Sequence, residues 1–266
     1  VATKTSHSCA IADAFGRGRP AFIPYLMAGD PDADTTLAMM LALRDAGADL
    51  IELGIPYGDP LADGPAIAAA GQRALARGTG TNDVFDLTKR ARSAGAPPIV
   101  LFTYFNPVLQ YGIERFAAAA QEAGAGGVIV PDVALEETGE LRAVLMKHNL
   151  DMPLLVAPST PPERAARIAR ESTGFVYVVS RLGVTGAGDA IDTSTVERQV
   201  AMLRGQTDKP LAVGFGISRA EHVKRVATLV DGIIVGSALI AQYAEVPRAE
   251  AASRVGAFAK ELIAAI

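Results

Sequence analysis

Residues 210–237 read PLAVGFGISRAEHVKRVATLVDGIIVGS. Two apolar, β-branched runs, 210–216 and 231–237, bracket a segment of helical period that opens at Ser218-Arg219-Ala220-Glu221, a capping-box pattern. That is one strand–helix–strand unit. Toward the amino terminus six more such runs follow the same rule: AFIPYLM (21–27), DLIELGI (49–55), PIVLFTY (98–104), GGVIVPD (126–132), MPLLVAP (152–158) and GFVYVVS (174–180). Each precedes a loop and an alanine-rich segment of helical period, the first of which opens at Asp34-Thr35-Thr36. Most runs are apolar throughout instead of alternating, as parallel strands covered on both faces require. Eight repeats predict an α/β fold, a (β/α)8 TIM barrel forming a single domain over residues 1–266, with an open doubly wound sheet as the alternative. An extra helical stretch, Ala66 to Arg77, fills the long interval after the second run. A short extra helix within Cys9 to Arg17 is expected to plug the barrel floor, and Arg248 to Ile266 to close the fold.

Composition narrows the function classes. The chain has 266 residues, 50% hydrophobic and 20% charged, with net charge −4, which suits a globular protein and excludes a disordered or collagen-like one. No basic run offers a footprint for nucleic acid or an anionic membrane. The single cysteine, Cys9, cannot form an internal disulfide, and His7, His148 and His222 are too scattered to read as a metal site. The uncharged stretch Ser93 to Ile113 is broken by Pro97, Pro98 and Pro107, so it does not read as a membrane span. With no basic segment leading into an apolar run at the start of the sequence, a cytoplasmic location is expected.

In such a barrel the chemistry sits at the carboxyl ends of the strands. Glu52 interrupts the apolar run DLIELGI, and alternation sets it opposite Ile51 and Leu53, hence facing the barrel interior. A buried, unpaired carboxylate has a raised pKa, which suits proton transfer near neutral pH. A structural ion pair is the competing reading, but the other strand runs contain no basic residue to supply the partner. The following loop, Pro56 to Pro65, is built of turn formers and holds Asp59 and Asp63. Asp63 lies eleven residues past Glu52, close enough to reach back over the barrel mouth, and two carboxylates in different environments can divide acid and base roles. Turn capping explains both aspartates equally well. At the last two strands, Val213-Gly-Phe-Gly-Ile-Ser218 and Val235-Gly-Ser-Ala238 place small residues where backbone N–H groups can approach an anion, the expected phosphate position on a barrel. The loop Ser180 to Asp189, with three glycines around Thr185, reads as a lid, or simply as a surface loop. Tyr25, Tyr104 and Tyr177, in or at the ends of strands, suit either an aromatic pocket or core packing.

These motifs, in this order, resemble the tryptophan synthase alpha subunit family over almost the whole chain, Ala21 to Ser237. The strongest matches are 52–65 (ELGIPYGDPLADGP), Gly183-Val-Thr-Gly186, Gly214-Phe-Gly-Ile-Ser218 and Val235-Gly-Ser-Ala238. Gly58, where the family usually has serine, and Met27, often threonine, depart from its pattern.

The resemblance implies a lyase: retro-aldol cleavage of indole-3-glycerol phosphate to indole and glyceraldehyde 3-phosphate. It implies that Glu52 protonates indole C3 and then takes the side-chain hydroxyl proton, while Asp63, oriented by Thr185, holds the indole N–H. Gly186, Gly216, Gly236 and Ser237 would hold the phosphate, and Tyr25, Phe102, Tyr104, Ile129, Tyr177 and Phe215 would shape the indole slot. No metal or organic cofactor is implied. The implied partner is a pyridoxal-phosphate-dependent beta subunit in an alpha2-beta2 complex, contacted by the loops carrying Asp59-Pro60 and Asn106-Pro107. The alternatives are a free-standing indole-releasing lyase, a phosphosugar isomerase on the same scaffold, and a non-catalytic activating subunit.

Overall fold

A computed structural model describes residues 11–180, 193–214 and 216–266. Its strands are β1 (Ala21–Met27), β2 (Ile51–Gly54), β3 (Ile99–Phe102), β4 (Gly127–Ile129), β5 (Leu154–Val156), β6 (Val176–Val179), β7 (Leu211–Gly214) and β8 (Gly232–Val235). They pair in parallel in the order β4-β3-β2-β1-β8-β7-β6-β5. The remaining seam closes just ahead of β5, where the Val128 N–H donates to the Asp151 carbonyl at 2.8 Å and the Asp151 N–H to the Gly126 carbonyl at 3.0 Å. The sheet is therefore a TIM barrel and not the open alternative.

Helices wrap the strands in turn: α1 (Ala33–Ala46), α2 (Pro65–Ala76), α3 (Thr81–Ser93), α4 (Phe105–Tyr111), α5 (Ile113–Ala123), α6 (Gly139–Lys147), α7 (Pro162–Glu171), α8 (Thr193–Arg204), α9 (Ala220–Val226), α10 (Ser237–Ile240) and α11 (Arg248–Ile263). The extra stretch after β2 is α2, and the closing helix is α11. Two expected helix starts differ. Asp32 caps α1, accepting the Thr35 N–H at 2.8 Å, which frees Asp34 to pair with Arg90 at 2.6 Å. At α9 the capping box does not form: Arg219 takes the N-cap position with no side-chain capping hydrogen bond to the helix, and the Ser218 N–H turns to His222 Nδ1 at 3.3 Å.

The amino-terminal helix shrinks, among the described residues, to a 3-10 turn at Ala12–Ala14. Its plugging role survives through neighbouring side chains. Ile11 fills the space left open by Gly126, Gly127 and Gly174, and Phe15 sits against Gly232 and, at 5.7 Å between ring centres, Phe175. These contacts lie at the amino-terminal ends of β4, β6 and β8, so the floor is sealed and the opposite mouth is left for chemistry.

Candidate active site

The register of β2 on β1 sets Glu52 beside Tyr25, one strand over in the same layer of the barrel. Ile51 and Leu53 face the helices and are fully buried; Glu52, 2% exposed, faces inward, and its Oε2 has no hydrogen-bond partner. Burial first, and the nearby Asp63 charge second, push its carboxyl up to about 8, so it is protonated at neutral pH.

Asp63 arrives from the loop between β2 and α2. Burial raises it to about 6, against the opposing pull of a hydrogen bond from the Tyr104 hydroxyl. The same hydroxyl accepts the Ala62 N–H at 3.1 Å, so Tyr104 pins the loop at two points. Tyr57 packs on the Tyr104 ring at 5.4 Å, and its hydroxyl accepts from the Asn106 side chain at 3.2 Å. The two carboxylates thus differ in state at pH 7, Glu52 neutral and Asp63 mostly ionised.

Both acids open into one cavity at the barrel mouth. Of the residues expected from sequence, Tyr25, Phe102, Tyr177, Gly216, Gly236 and Ser237 line it. Tyr104 reaches it through Asp63, whereas Ile129 stays outside its wall, buried in register with Phe102. Thr185, Gly186 and Phe215 lie outside the described residues.

Just past β8, Gly236 caps α10, Ser237 begins it, and the Ser237 Oγ is buried without a partner. Gly216 has a left-handed φ of +84°, a conformation open to glycine and strained for other residues. An anion there would meet a hydroxyl and closely approachable backbone.

Sequence reasoning missed Ile67, Ile217 and Ile234 as apolar walls, since nothing separates them from ordinary core residues. It also missed the packing role of two strand-end glycines. A Cβ at Gly214 would come within 2.8 Å of the Tyr177 Cζ, and one at Gly54 within 2.7 Å of the Tyr25 Cζ. Each glycine makes room for a tyrosine of the neighbouring strand. Among the described residues no cluster of His, Cys, Asp and Glu is arranged to hold a metal.

A family model described as tryptophan synthase alpha chain matches residues 11–265. This chain belongs to the tryptophan synthase alpha chain family. Among its relatives, the alpha chain of Synechococcus sp. (strain CC9902) is 48% identical over 246 residues, 92% of this chain and 91% of that one. The alpha chain of Arabidopsis thaliana is 45% identical over 240 residues, 88% and 87% of the two chains. Among solved structures, Mycobacterium tuberculosis tryptophan synthase superposes with a TM-score of 0.86 at 38% identity, covering 97% of this chain and 95% of that one. The Legionella pneumophila str. Paris alpha subunit gives 0.84 at 36% identity, covering 93% and 92%. As an alpha chain, this protein is an enzyme of tryptophan biosynthesis, a carbon–carbon lyase acting on indole-3-glycerol phosphate. The relatives carry the name of the subunit, which disfavours the free-standing lyase.

Proposed function

We propose that Glu52 and Asp63 divide the acid–base work of the retro-aldol cleavage. The observation that carries this reading is a shared cavity in which burial separates the two carboxyls, near 8 and near 6. Neutral Glu52 gives its proton to indole C3, and the ring becomes an indolenine cation that can accept electrons. Ionised Asp63 takes the indole N–H as a hydrogen bond and stabilises the charge developing on that nitrogen. The Glu52 carboxylate then removes the proton from the side-chain hydroxyl. The C–C bond breaks, its electrons return to the ring as indole, and the former carbinol carbon becomes the aldehyde of glyceraldehyde 3-phosphate. Glu52 ends the cycle protonated, so one carboxyl serves as acid and then base.

Tyr25, Phe102 and Tyr177 form the apolar slot for the indole, and Gly216, Gly236 and Ser237 the phosphate end. Tyr25 and Phe102 meet edge to face at 6.0 Å, giving that wall a defined shape. Thr185, Gly186 and Phe215 keep the roles that the family resemblance implies. The whole chain, residues 1–266, is proposed to work as one barrel domain, supported by an apolar core continuous from the strands out to the helices.

The proposed partner is a pyridoxal-phosphate-dependent beta subunit, in an alpha2-beta2 complex, docked on the loop carrying Asp59-Pro60 and on Asn106-Pro107, which the sequence suggested as a loop and which form the first turn of α4. Leu61 in that loop and Leu109 on α4 are 72% and 49% exposed, an apolar rim suited to a protein contact. The proposed compartment is the cytoplasm, which suits a chain with a single cysteine. No helix among the described residues is long and apolar enough to cross a membrane.

Glu52→Gln keeps the shape and removes the transferable proton. Indole release from indole-3-glycerol phosphate is expected to fall at least about a hundredfold. Near-normal turnover in this variant would take Glu52 out of the mechanism.

A further inference from the structure

Helix α2 forms one side of the cavity. Ile67, in its first turn, lines the wall, and Asp63 precedes its first residue, Pro65, with only Gly64 between. The sequence of α2, PAIAAAGQRALA, supplies mostly methyl groups for lateral packing.

One interaction on this helix is of a different kind. The Arg73 Nε donates to Asp30 Oδ1 at 2.8 Å and its Nη2 to Asp30 Oδ2 at 2.7 Å, a bidentate pair. Asp30 is 0% exposed and sits just beyond β1, in the turn that leads to α1. The buried Tyr243 lies close enough to feel both charges. Around the pair α2 rests directly on the end of β1: a Cβ at Gly71 would touch the Met27 Cε at 3.5 Å, and Thr79, just past the helix, packs on Gly29. A fork-to-carboxylate pair fixes both distance and plane, so it sets the rotation and the axial position of the helix that bears it. Arg73 lies eight residues from Pro65, about 12 Å along the axis, and a helix held there carries its first turn as a rigid arm over the barrel mouth.

We propose that Asp30 and Arg73 are positioning residues for catalysis: their ion pair holds α2 in place and thereby sets where Asp63 stands relative to Glu52. This rests on the reading of Asp63 given above. Neither residue lines the cavity, so neither touches substrate.

The test compares Arg73→Met and Arg73→Lys with the unaltered chain, Asp63→Asn and Arg204→Met. Arg204 pairs with Asp231 at 2.7 Å next to the start of β8, at the sealed floor, and controls for the loss of an arginine–aspartate pair as such. Each variant is confirmed folded by its thermal melt, and kcat, KM and the pH profile of kcat are measured by indole release. Arg73→Met is expected to lose at least tenfold in kcat with a smaller change in KM. Its acid limb moves to lower pH, because a loosened α2 lets water reach Asp63. Arg73→Lys keeps the charge without the fork and recovers only part of the loss; Arg204→Met matches the unaltered chain. A folded Arg73→Met with unchanged kcat and acid limb overturns the proposal, as does an Arg204→Met loss of the same size. If Arg73→Met does not fold, Arg73→Lys decides: an acid limb identical to that of the unaltered chain overturns the proposal, and a displaced one supports it. Should Asp63→Asn keep full activity, the role of Asp63 falls, and this inference with it; a crippled Asp63→Asn beside unaffected Arg73 variants refutes the ion-pair inference alone.

Discussion

Replacing Glu52 by glutamine is expected to make the enzyme inactive and, in alkaline solution, more stable. The carboxyl ionises at 4.5 in its ordinary setting and at about 8 in the folded barrel. Each tenfold difference is worth about 1.4 kcal/mol, so holding the ionised form inside the fold costs up to about 5 kcal/mol. The sign follows from proton binding. Between these two values the folded chain keeps the proton and the unfolded chain has lost it, so stability is fully present below 4.5 and declines as pH rises to 8. Above 8 the decline stops, because both states are then ionised. Against a total of roughly 5–15 kcal/mol for an ordinary domain, this is a large share. Glutamine is neutral throughout and removes the dependence. Urea unfolding followed by circular dichroism, at several pH values from 5 to 9, gives the assay. The stability difference, Glu52→Gln minus unaltered chain, is expected to grow by several kcal/mol across that range. Using the difference cancels the titrating groups that do not interact with Glu52, and any fixed effect of the amide. Two curves that run parallel over the whole range would refute the reasoning, and with it the buried, unpaired state of Glu52.

Other outcomes are expected from the same geometry. Turnover of the unaltered chain rises near pH 6, as Asp63 ionises, and falls near pH 8, as Glu52 loses its proton; a rate profile by indole release flat from 5 to 9 would contradict the pair. Gly54→Ala forces its Cβ against the Tyr25 ring, with a stability loss of about 1–3 kcal/mol in denaturant melts, and Tyr25→Phe relieves little because the Cζ stays at 2.7 Å. Gly216→Val meets a left-handed backbone and is expected to weaken binding of a glycerol phosphate analogue by calorimetric titration, whereas an unchanged Kd would move the phosphate elsewhere. Adding a cognate beta subunit is expected to raise the lyase rate and to form a complex in light scattering; a fully active chain that forms none would remove the partner.

Much of the fold was legible because its period is written into each unit. Ala21–Met27 matches its run end to end, and the other strands fall inside theirs, trimmed where the chain leaves the ladder for a loop. The start of α9 was not legible: Ser218 and Glu221 have the spacing of a capping box, but His222 takes the Ser218 N–H instead, a choice between two local partners that spacing alone leaves open. In the site, Glu52 stood out as a charge in an apolar run, whereas Asp63 and Asp59 looked alike. Only the folded loop, with Tyr104 on one of them, separates the two.

What the sequence by itself determined is whatever a residue's type and spacing constrain locally: eight parallel strands, the inward face of Glu52, and small residues at the ends of β7 and β8. What the tertiary structure alone decided is whatever depends on residues distant in sequence: the closure of β4 on β5, the room that Gly54 and Gly214 leave for tyrosines of the neighbouring strands, and the hold of Asp30 on Arg73. The separation of the two carboxyls belongs to this second group. A pKa is set by how much water and charge surround a group in space, and a sequence pattern records only what surrounds it along the chain.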